Sequence, residues 1–109
     1  MGTESTMAMR LYEERLTDWE VIAPSADEQA ALVNAGIAAV KAGDEAAAYA
    51  PLAAMAARLH ARGAHAVVLG CTEIPLGIAA GAPLPFPVVD TVAALARAAI
   101  RWARGGSRA

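Results

Sequence analysis

The sequence is poor in cysteine and in net charge, and each shortage excludes a class of protein. One cysteine in 109 residues cannot form an intramolecular disulfide, which excludes a disulfide-stapled domain. A net charge of −2 gives no electrostatic reason to expect nucleic acid or an anionic membrane as a partner. No apolar run reaches the roughly 18 residues of a membrane span, and the N-terminus lacks the features of a signal peptide. We therefore expect a cytoplasmic protein.

The chain is rich in alanine and in short alternating segments. Hydrophobic residues make up 57% of it, and a chain of this length has room for a single domain with a thin core. The predicted order is helix, strand, helix, helix, strand, helix, strand, helix. Such alternation is typical of a parallel sheet with helices on both faces. The sequence therefore predicts one α/β domain over residues 1–109, a small three-layer parallel sheet.

Local signals place the predicted elements of the first half. Apolar spacing indicates a helix over residues 7–16, and residues 19–22 form a β-prone run before Pro24. Ser25 and Glu28 have the spacing of a capping box, which predicts the start of a helix that ends near Gly43.

The second half carries the remaining predicted elements. Pro51 fits best in the first turn of a helix that ends at Gly63. The apolar stripe predicted to form the buried face of this helix consists of Leu52, Met55, Ala56 and Leu59. Residues 66–69 are an unbroken apolar run, as in a strand buried on both faces of a parallel sheet. Residues 88–89 form a third strand, and Asp90 is placed to cap the last helix.

Cys71 follows the buried strand and directly precedes a predicted helix, and in parallel sheets chemistry gathers at this end of the strands. The free N–H groups of a helix N-terminus stabilise a thiolate, which predicts a lowered pKa for Cys71. Thr72 can cap the helix or bind a ligand carboxylate through its hydroxyl. From position alone, a reactive thiol and a small buried filler are equally good interpretations of Cys71.

The segment at residues 63–75, with Gly-Cys-Thr-Glu at 70–73, closely resembles the second cysteine motif of the aspartate/glutamate racemase family. The resemblance continues in order at residues 2–7, 12–16, 21–24 and 86–91. It implies one half of the two-domain fold of that family, since only the second half is matched. The strand that opens this half in the family, and that ends at Gly2-Thr3, has no counterpart in the chain.

The resemblance implies a function as well as a fold. Members of the family racemise amino acids without cofactor or metal, by means of two cysteines that act on opposite faces of the α-carbon. It implies that Cys71 is one of these acid/base groups and that the substrate is aspartate or glutamate. The Gly-Cys-Thr-Glu sequence favours an aspartate or a broad aspartate/glutamate preference.

The resemblance also implies a set of substrate-binding residues. Lys41 lies where aspartate-type members carry a substrate-binding lysine, and Thr72 is the best candidate for a carboxylate ligand. Glu73, Thr6 and Thr91 are weaker candidates near the same edge. Without the resemblance, Lys41 and Glu73 are equally well explained as charges that complement helix ends.

The absence of a second cysteine leaves three hypotheses open. The partner cysteine is supplied by another copy of the chain in a homo-oligomer, or by a separate first-half domain. Alternatively, the chain is an inactive truncated remnant or a binding module. The third hypothesis is a single-cysteine lyase or isomerase of the same superfamily. The Thr72-Glu73 sequence after the cysteine argues against it.

Overall fold

A computed structural model describes residues 1–105 of the chain. The helical elements before the sheet are α1 (Glu4–Ala8), α2 (Leu11–Arg15), α3 (Ala26–Glu28), a π-helical turn (Gln29–Val33), α4 (Asn34–Lys41) and α5 (Glu45–Ala61). They are followed by β1 (Val67–Leu69), α6 (Glu73–Ala79), β2 (Val88–Asp90) and α7 (Thr91–Ala103). Along residues 1–105, every helix falls short of the length and apolarity that a membrane span requires.

The two strands pair in parallel, and this confirms the prediction of a small α/β fold with a parallel sheet. Val67 lies opposite Val88, and Leu69 lies opposite Asp90. Val67 and Leu69 are buried, because their side chains join the core beside α5. The side chain of Val68, between them, points to the other face of the sheet and is half-buried.

The core lies on one side of this sheet, where α4, α5 and α6 pack against one another. Its largest fully buried side chains are Leu52 and Met55 of α5, Ile74 of α6 and Val33. The apolar stripe predicted for α5 is therefore buried as expected.

The long helix after Pro24 begins with the predicted capping box. The Ser25 N–H donates to Glu28 Oε1 at 3.0 Å, and the Glu28 N–H donates to Ser25 Oγ at 3.2 Å. The π-helical turn follows, and Gln29 Nε2 donates to the Gly2 carbonyl at 3.0 Å and to Asn34 Oδ1 at 2.9 Å. This helix therefore anchors the first residues of the chain beside the sheet.

The prediction of one helix over residues 7–16 is wrong. Arg10 adopts the left-handed conformation with a φ of 53°, and it separates α1 from α2. A residue in this conformation interrupts the helical backbone, because only right-handed dihedrals continue the hydrogen-bond ladder. The spacing of apolar residues alone does not predict such an interruption of a helix.

The prediction of a strand at residues 19–22 is also wrong. The segment has no strand partner, and Trp19 is 73% exposed. A β-prone sequence becomes a strand only when a neighbouring backbone accepts and donates its hydrogen bonds. β1, the strand nearest in the predicted topology, pairs with β2 on one edge and with Met1 on the other.

The predicted position of Pro51 is wrong as well, because α5 begins six residues earlier at Glu45 with Asp44 as its N-cap. The Asp44 carboxylate accepts the N–H of Ala47 at 3.1 Å. Pro51 therefore lies inside the helix, where it lacks the N–H of one ladder bond. The fully buried neighbours Ala48 and Leu52 pack against α4 and α6 and offset that loss.

The last helix begins as predicted, because the Asp90 carboxylate accepts the N–H groups of Val92 and Ala93. No residue of α7 is buried. Leu95 and Trp102 are 71% and 72% exposed, although both are large and apolar. The described chain thus has one well-packed side and one open side.

Candidate functional site

The candidate site begins where β1 ends. The Gly70 N–H donates to the Met1 carbonyl at 2.7 Å. A Cβ atom at Gly70 would lie 2.7 Å from that carbonyl oxygen and 2.8 Å from the Tyr12 hydroxyl. Close approach of the main chain, and not a left-handed turn, therefore requires glycine immediately before Cys71.

Cys71 is half-buried at the junction between β1 and α6. The backbone N–H groups of Ile74 and Glu73 act on the sulfur and favour the thiolate, as expected at a helix N-terminus. Burial has the larger effect and raises the pKa of the Cys71 thiol, and the carboxylate of Glu73 raises it further. The prediction of a lowered pKa is therefore wrong, because it omitted desolvation and the adjacent negative charge.

Thr72 and Glu73 form a pair beside the thiol. Thr72 is exposed, and its hydroxyl donates to Glu73 Oε2 at 2.9 Å and not to the backbone of α6. This hydrogen bond is the main reason that the pKa of Glu73 is lowered, and the charge of Lys41 lowers it further. Cys71 also donates a hydrogen bond that favours the Glu73 carboxylate. The thiol, the hydroxyl and the carboxylate thus form one connected group.

Lys41 is the last residue of α4, as the sequence predicted, and its side chain is exposed. It lines a shallow depression of about 290 Å³ together with Thr3, Glu4 and Asn34. Asn34 Nδ2 donates to Glu4 Oε2 at 3.1 Å on this surface. The charge of Lys41 acts on Glu73 and contributes to its lowered pKa, although Glu73 does not line this depression.

Thr6 and Thr91 make hydrogen bonds within the fold. The Thr6 hydroxyl is 2.9 Å from the hydroxyl of Thr3, the N-cap of α1. The Thr91 hydroxyl donates to the Leu69 carbonyl at 2.8 Å, which ties the start of α7 to the end of β1. The structure thus links Cys71, Thr72 and Glu73 directly and lets the charge of Lys41 act on Glu73, whereas these two hydroxyls have partners of their own.

Tyr12 is the residue at this edge that the sequence analysis missed. Its helical spacing indicates only an apolar packing position, yet its hydroxyl approaches Gly70. The sequence feature that could have identified Tyr12 was its residue type, because a tyrosine at a half-buried position carries a polar hydroxyl that a leucine would lack. Within residues 1–105, no three His, Cys, Asp or Glu side chains are grouped as a metal site would require.

The fold and the site define a class: a parallel α/β fold with a cysteine between a strand end and a helix, beside a carboxylate on which the charge of a lysine acts. A sequence profile of the family described as Asp/Glu/Hydantoin racemase matches residues 1–99. The chain belongs to the Asp/Glu/Hydantoin racemase family. A search of curated proteins finds no match. Membership confirms the resemblance to racemases and supports an enzyme of isomerase type that acts on small amino-acid-like molecules.

Proposed function

We propose that this chain supplies one acid/base group for cofactor-independent proton transfer at the α-carbon of aspartate or glutamate, and that Cys71 is that group. The observation that carries the proposal is the place of Cys71, at the carboxyl end of β1 and the start of α6. In a parallel α/β fold this is the edge where ligands bind. The racemase family of the chain supplies the reaction class.

The proposed step is a proton transfer to or from the Cys71 sulfur. When the thiolate acts as a base, an S–H bond forms, the Cα–H bond breaks and its electron pair moves into the adjacent carboxylate group. In the reverse direction the thiol returns its proton to the carbanion. Because burial raises the pKa of Cys71, the thiol form predominates near neutral pH. Cys71 is therefore ready to donate a proton after a second group has removed one from the opposite face.

The substrate carboxylates need positive charge and hydrogen-bond donors, because negative charge grows on them as the α-proton leaves. Lys41 is the proposed cation, since it is exposed and its charge already acts on Glu73. Thr72 binds a carboxylate by exchanging its hydrogen bond with Glu73 for one with the substrate. Glu73 is then a positioning residue that holds the thiol. The hydrogen bonds of Thr6 and Thr91 stabilise the strand end and helix start around the site.

The second acid/base group comes from outside these 109 residues in this proposal, because they contain one cysteine. A second copy that faces the first across a shared cleft supplies a second Cys71, and a separate first-half domain is the alternative source. Sedimentation at micromolar concentration tests the first source. Dimers support it, and a purely monomeric chain contradicts it.

Deuterium exchange into the α-position of L- and D-aspartate in D₂O tests the assignment of Cys71. Loss of an acid/base group costs about 10²–10⁴-fold, so Cys71→Ser is expected to abolish measurable exchange. Lys41→Met is expected to weaken it through substrate binding, whereas Arg97→Met, an exposed cation on α7, is the matched control that leaves it unchanged. Exchange without inversion indicates one working group, and exchange that survives in Cys71→Ser contradicts the proposal.

The second candidate function is substrate binding without turnover. The raised pKa of Cys71 and the lack of a second cysteine favour it, because both limit proton removal by this chain. Calorimetry separates the two candidates. Binding of aspartate by a folded sample that shows no exchange supports a binding module, and aspartate preference over glutamate is measured in the same titrations.

A further inference from the structure

The depression beside Lys41 carries one negative and one positive charge. Glu4 lines it at the start of α1, and Lys41 lines it at the end of α4. Both residues are exposed, and the salt bridges found among residues 1–105 involve neither of them. The two charges therefore border a shared space of about 290 Å³ without neutralising each other. We call this space the Lys41 depression.

A chain of hydrogen bonds that starts in the core holds the Glu4 carboxylate in place. Gln29 is buried, and its Nε2 donates to the Gly2 carbonyl at 3.0 Å and to Asn34 Oδ1 at 2.9 Å. Because these two acceptors fix the orientation of both side-chain amides, Asn34 Nδ2 is left to donate to Glu4 Oε2 at 3.1 Å. The other carboxylate oxygen of Glu4 makes no hydrogen bond within the described residues 1–105, so it is available to a ligand.

The geometry of α4 sets the spacing of the two charges. Asn34 begins this helix and Lys41 ends it, and residues seven apart lie on the same face of an α-helix. At a rise of about 1.5 Å per residue, these two residues are separated by about 10 Å along the helix axis. Ala38 lines the depression between them with a small side chain. The spacing accommodates a small molecule with a charge-assisted hydrogen bond of about 2.8 Å at each end.

The Lys41 depression also lies near the proposed acid/base group. The residue directly before Cys71 donates its N–H to the Met1 carbonyl at 2.7 Å. Consecutive Cα atoms are about 3.8 Å apart, so the Cα atom of Glu4 lies within about 11 Å of that of Met1. At the other end of the depression, the charge of Lys41 acts on Glu73. Both charged ends of the depression are therefore close to the edge of the fold that carries Cys71.

We propose that the Lys41 depression binds both charges of the substrate amino acid, with Glu4 as the acceptor for its ammonium group and Lys41 as the donor to a carboxylate. This assignment, which rests on the proposed function, makes Glu4 a specificity-determining residue and Asn34 the residue that positions it. A fixed carboxylate favours a ligand that has an ammonium group and repels a dicarboxylate that lacks one. Succinate is aspartate without the ammonium group, so the two ligands isolate the contribution of Glu4.

Calorimetric titration of the full chain with aspartate and with succinate tests the assignment. We expect Glu4→Gln to weaken aspartate binding by about 10-fold or more, because the ammonium group loses a charge-assisted hydrogen bond. Succinate is expected to bind this variant at least as well as the unmodified chain, because a repulsive charge is removed. Asn34→Ala releases the Glu4 carboxylate and is expected to change the preference in the same direction by a smaller factor.

Two further variants separate the roles of the charges. Lys41→Met is expected to weaken both ligands, since both carry the carboxylate that this lysine binds. Glu45→Gln is the matched control for Glu4→Gln, because Glu45 is also an exposed acid in the first turn of a helix. We expect it to leave both affinities unchanged.

The ratio of the two dissociation constants decides the role of Glu4. An unchanged ratio in Glu4→Gln, including equal weakening of both ligands, would overturn the assignment. If the unmodified chain still binds aspartate in that case, the proposed function stands without it. A folded chain that binds neither ligand would contradict the assignment and the proposed function together.

Discussion

The two sides of the sheet differ in how completely the described chain covers them. On the core side, Leu52, Met55 and Ile74 are fully buried between three mutually packed helices. On the other side, Val68 is only half-buried, and α7, which follows β2, buries no residue. The described residues therefore cover one face of the sheet with packed helices and leave apolar surface exposed on the other. Cys71 lies at the boundary between the two, at the end of β1.

This comparison predicts that the same substitution has unequal effects on the two sides. Leu52→Ala is expected to lower the free energy of unfolding by about 2–5 kcal/mol, because it leaves a cavity in a fully buried position. Leu95→Ala on α7 is the matched control, and it is expected to change stability by no more than about 0.5 kcal/mol. Urea unfolding measures both. Equal losses at the two positions would show that α7 is packed as tightly as α5.

Gly36 tests how closely the packed side is filled. An added Cβ would lie 2.4 Å from Leu52 Cγ, and that side chain is fully buried and has no free space to move into. Overpacking costs about 1–3 kcal/mol, while alanine gains about 1 kcal/mol of helix propensity over glycine. We therefore expect Gly36→Ala to destabilise the chain by about 1 kcal/mol in urea unfolding. A gain in stability would reveal unfilled space between α4 and α5.

Acid titration tests the ion pairs that join α3 to α5 on the packed side. Glu28 is buried, and it binds Arg62 and also Arg58, whose Nη1 lies 3.2 Å from Oε2. The bond with Arg62 is the main reason that the pKa of Glu28 falls from 4.5 to about 2. A carboxyl group with a depressed folded-state pKa contributes stability that is present above its unfolded-state pKa. That contribution is lost as the pH falls from about 4.5 toward 2.

We therefore expect Glu28→Gln to be less stable than the unmodified chain at pH 6, and the difference to shrink between pH 4.5 and 2. Thermal unfolding across this range measures it. Glu14→Gln, an exposed position on α2, is the control and is expected to follow the unmodified chain at every pH. A stability difference that stays constant down to pH 2 would contradict the role of the ion pairs.

The smallest predicted effect concerns the boundary between the two sides. The Glu73 carboxylate raises the pKa of Cys71, so Glu73→Gln is expected to lower that pKa and to speed alkylation by iodoacetamide several-fold at pH 7.5. The gain should disappear at high pH, where the thiol is ionised in both proteins. A pH-independent rate difference would mean that the substitution changes access to the sulfur instead of its ionisation.

Sequence signals that act within one element predicted the fold well. The capping box at Ser25 and Glu28, the buried stripe of α5, the buried strand β1 and the Asp90 cap all depend on neighbours a few residues away. The prediction of a strand at residues 19–22 failed because a strand needs a hydrogen-bonded partner, which its own sequence does not contain. The prediction that Pro51 lies in a first helical turn failed because the packing of α5 on other helices outweighs the local cost of proline inside a helix.

In the candidate site, too, local features were predicted from the sequence and long-range effects were not. The motif at residues 70–73 predicted where Cys71 stands, since a strand, a turn and a helix follow one another locally. It did not predict the sign of the pKa shift, because burial depends on how the whole chain packs around the thiol. The approach of Tyr12 to Gly70 joins residues far apart in sequence, and apolar periodicity carries no information about it.

Protection of Cys71 from alkylation by substrate tests the central claim most directly, because it requires a bound substrate but no turnover. The single cysteine makes the labelling stoichiometry unambiguous. We predict that L- or D-aspartate slows iodoacetamide labelling of Cys71, that Lys41→Met removes this protection, and that Arg97→Met retains it. A labelling rate that saturating aspartate leaves unchanged, in a folded sample that binds aspartate by calorimetry, would contradict the placement of Cys71 in the substrate site.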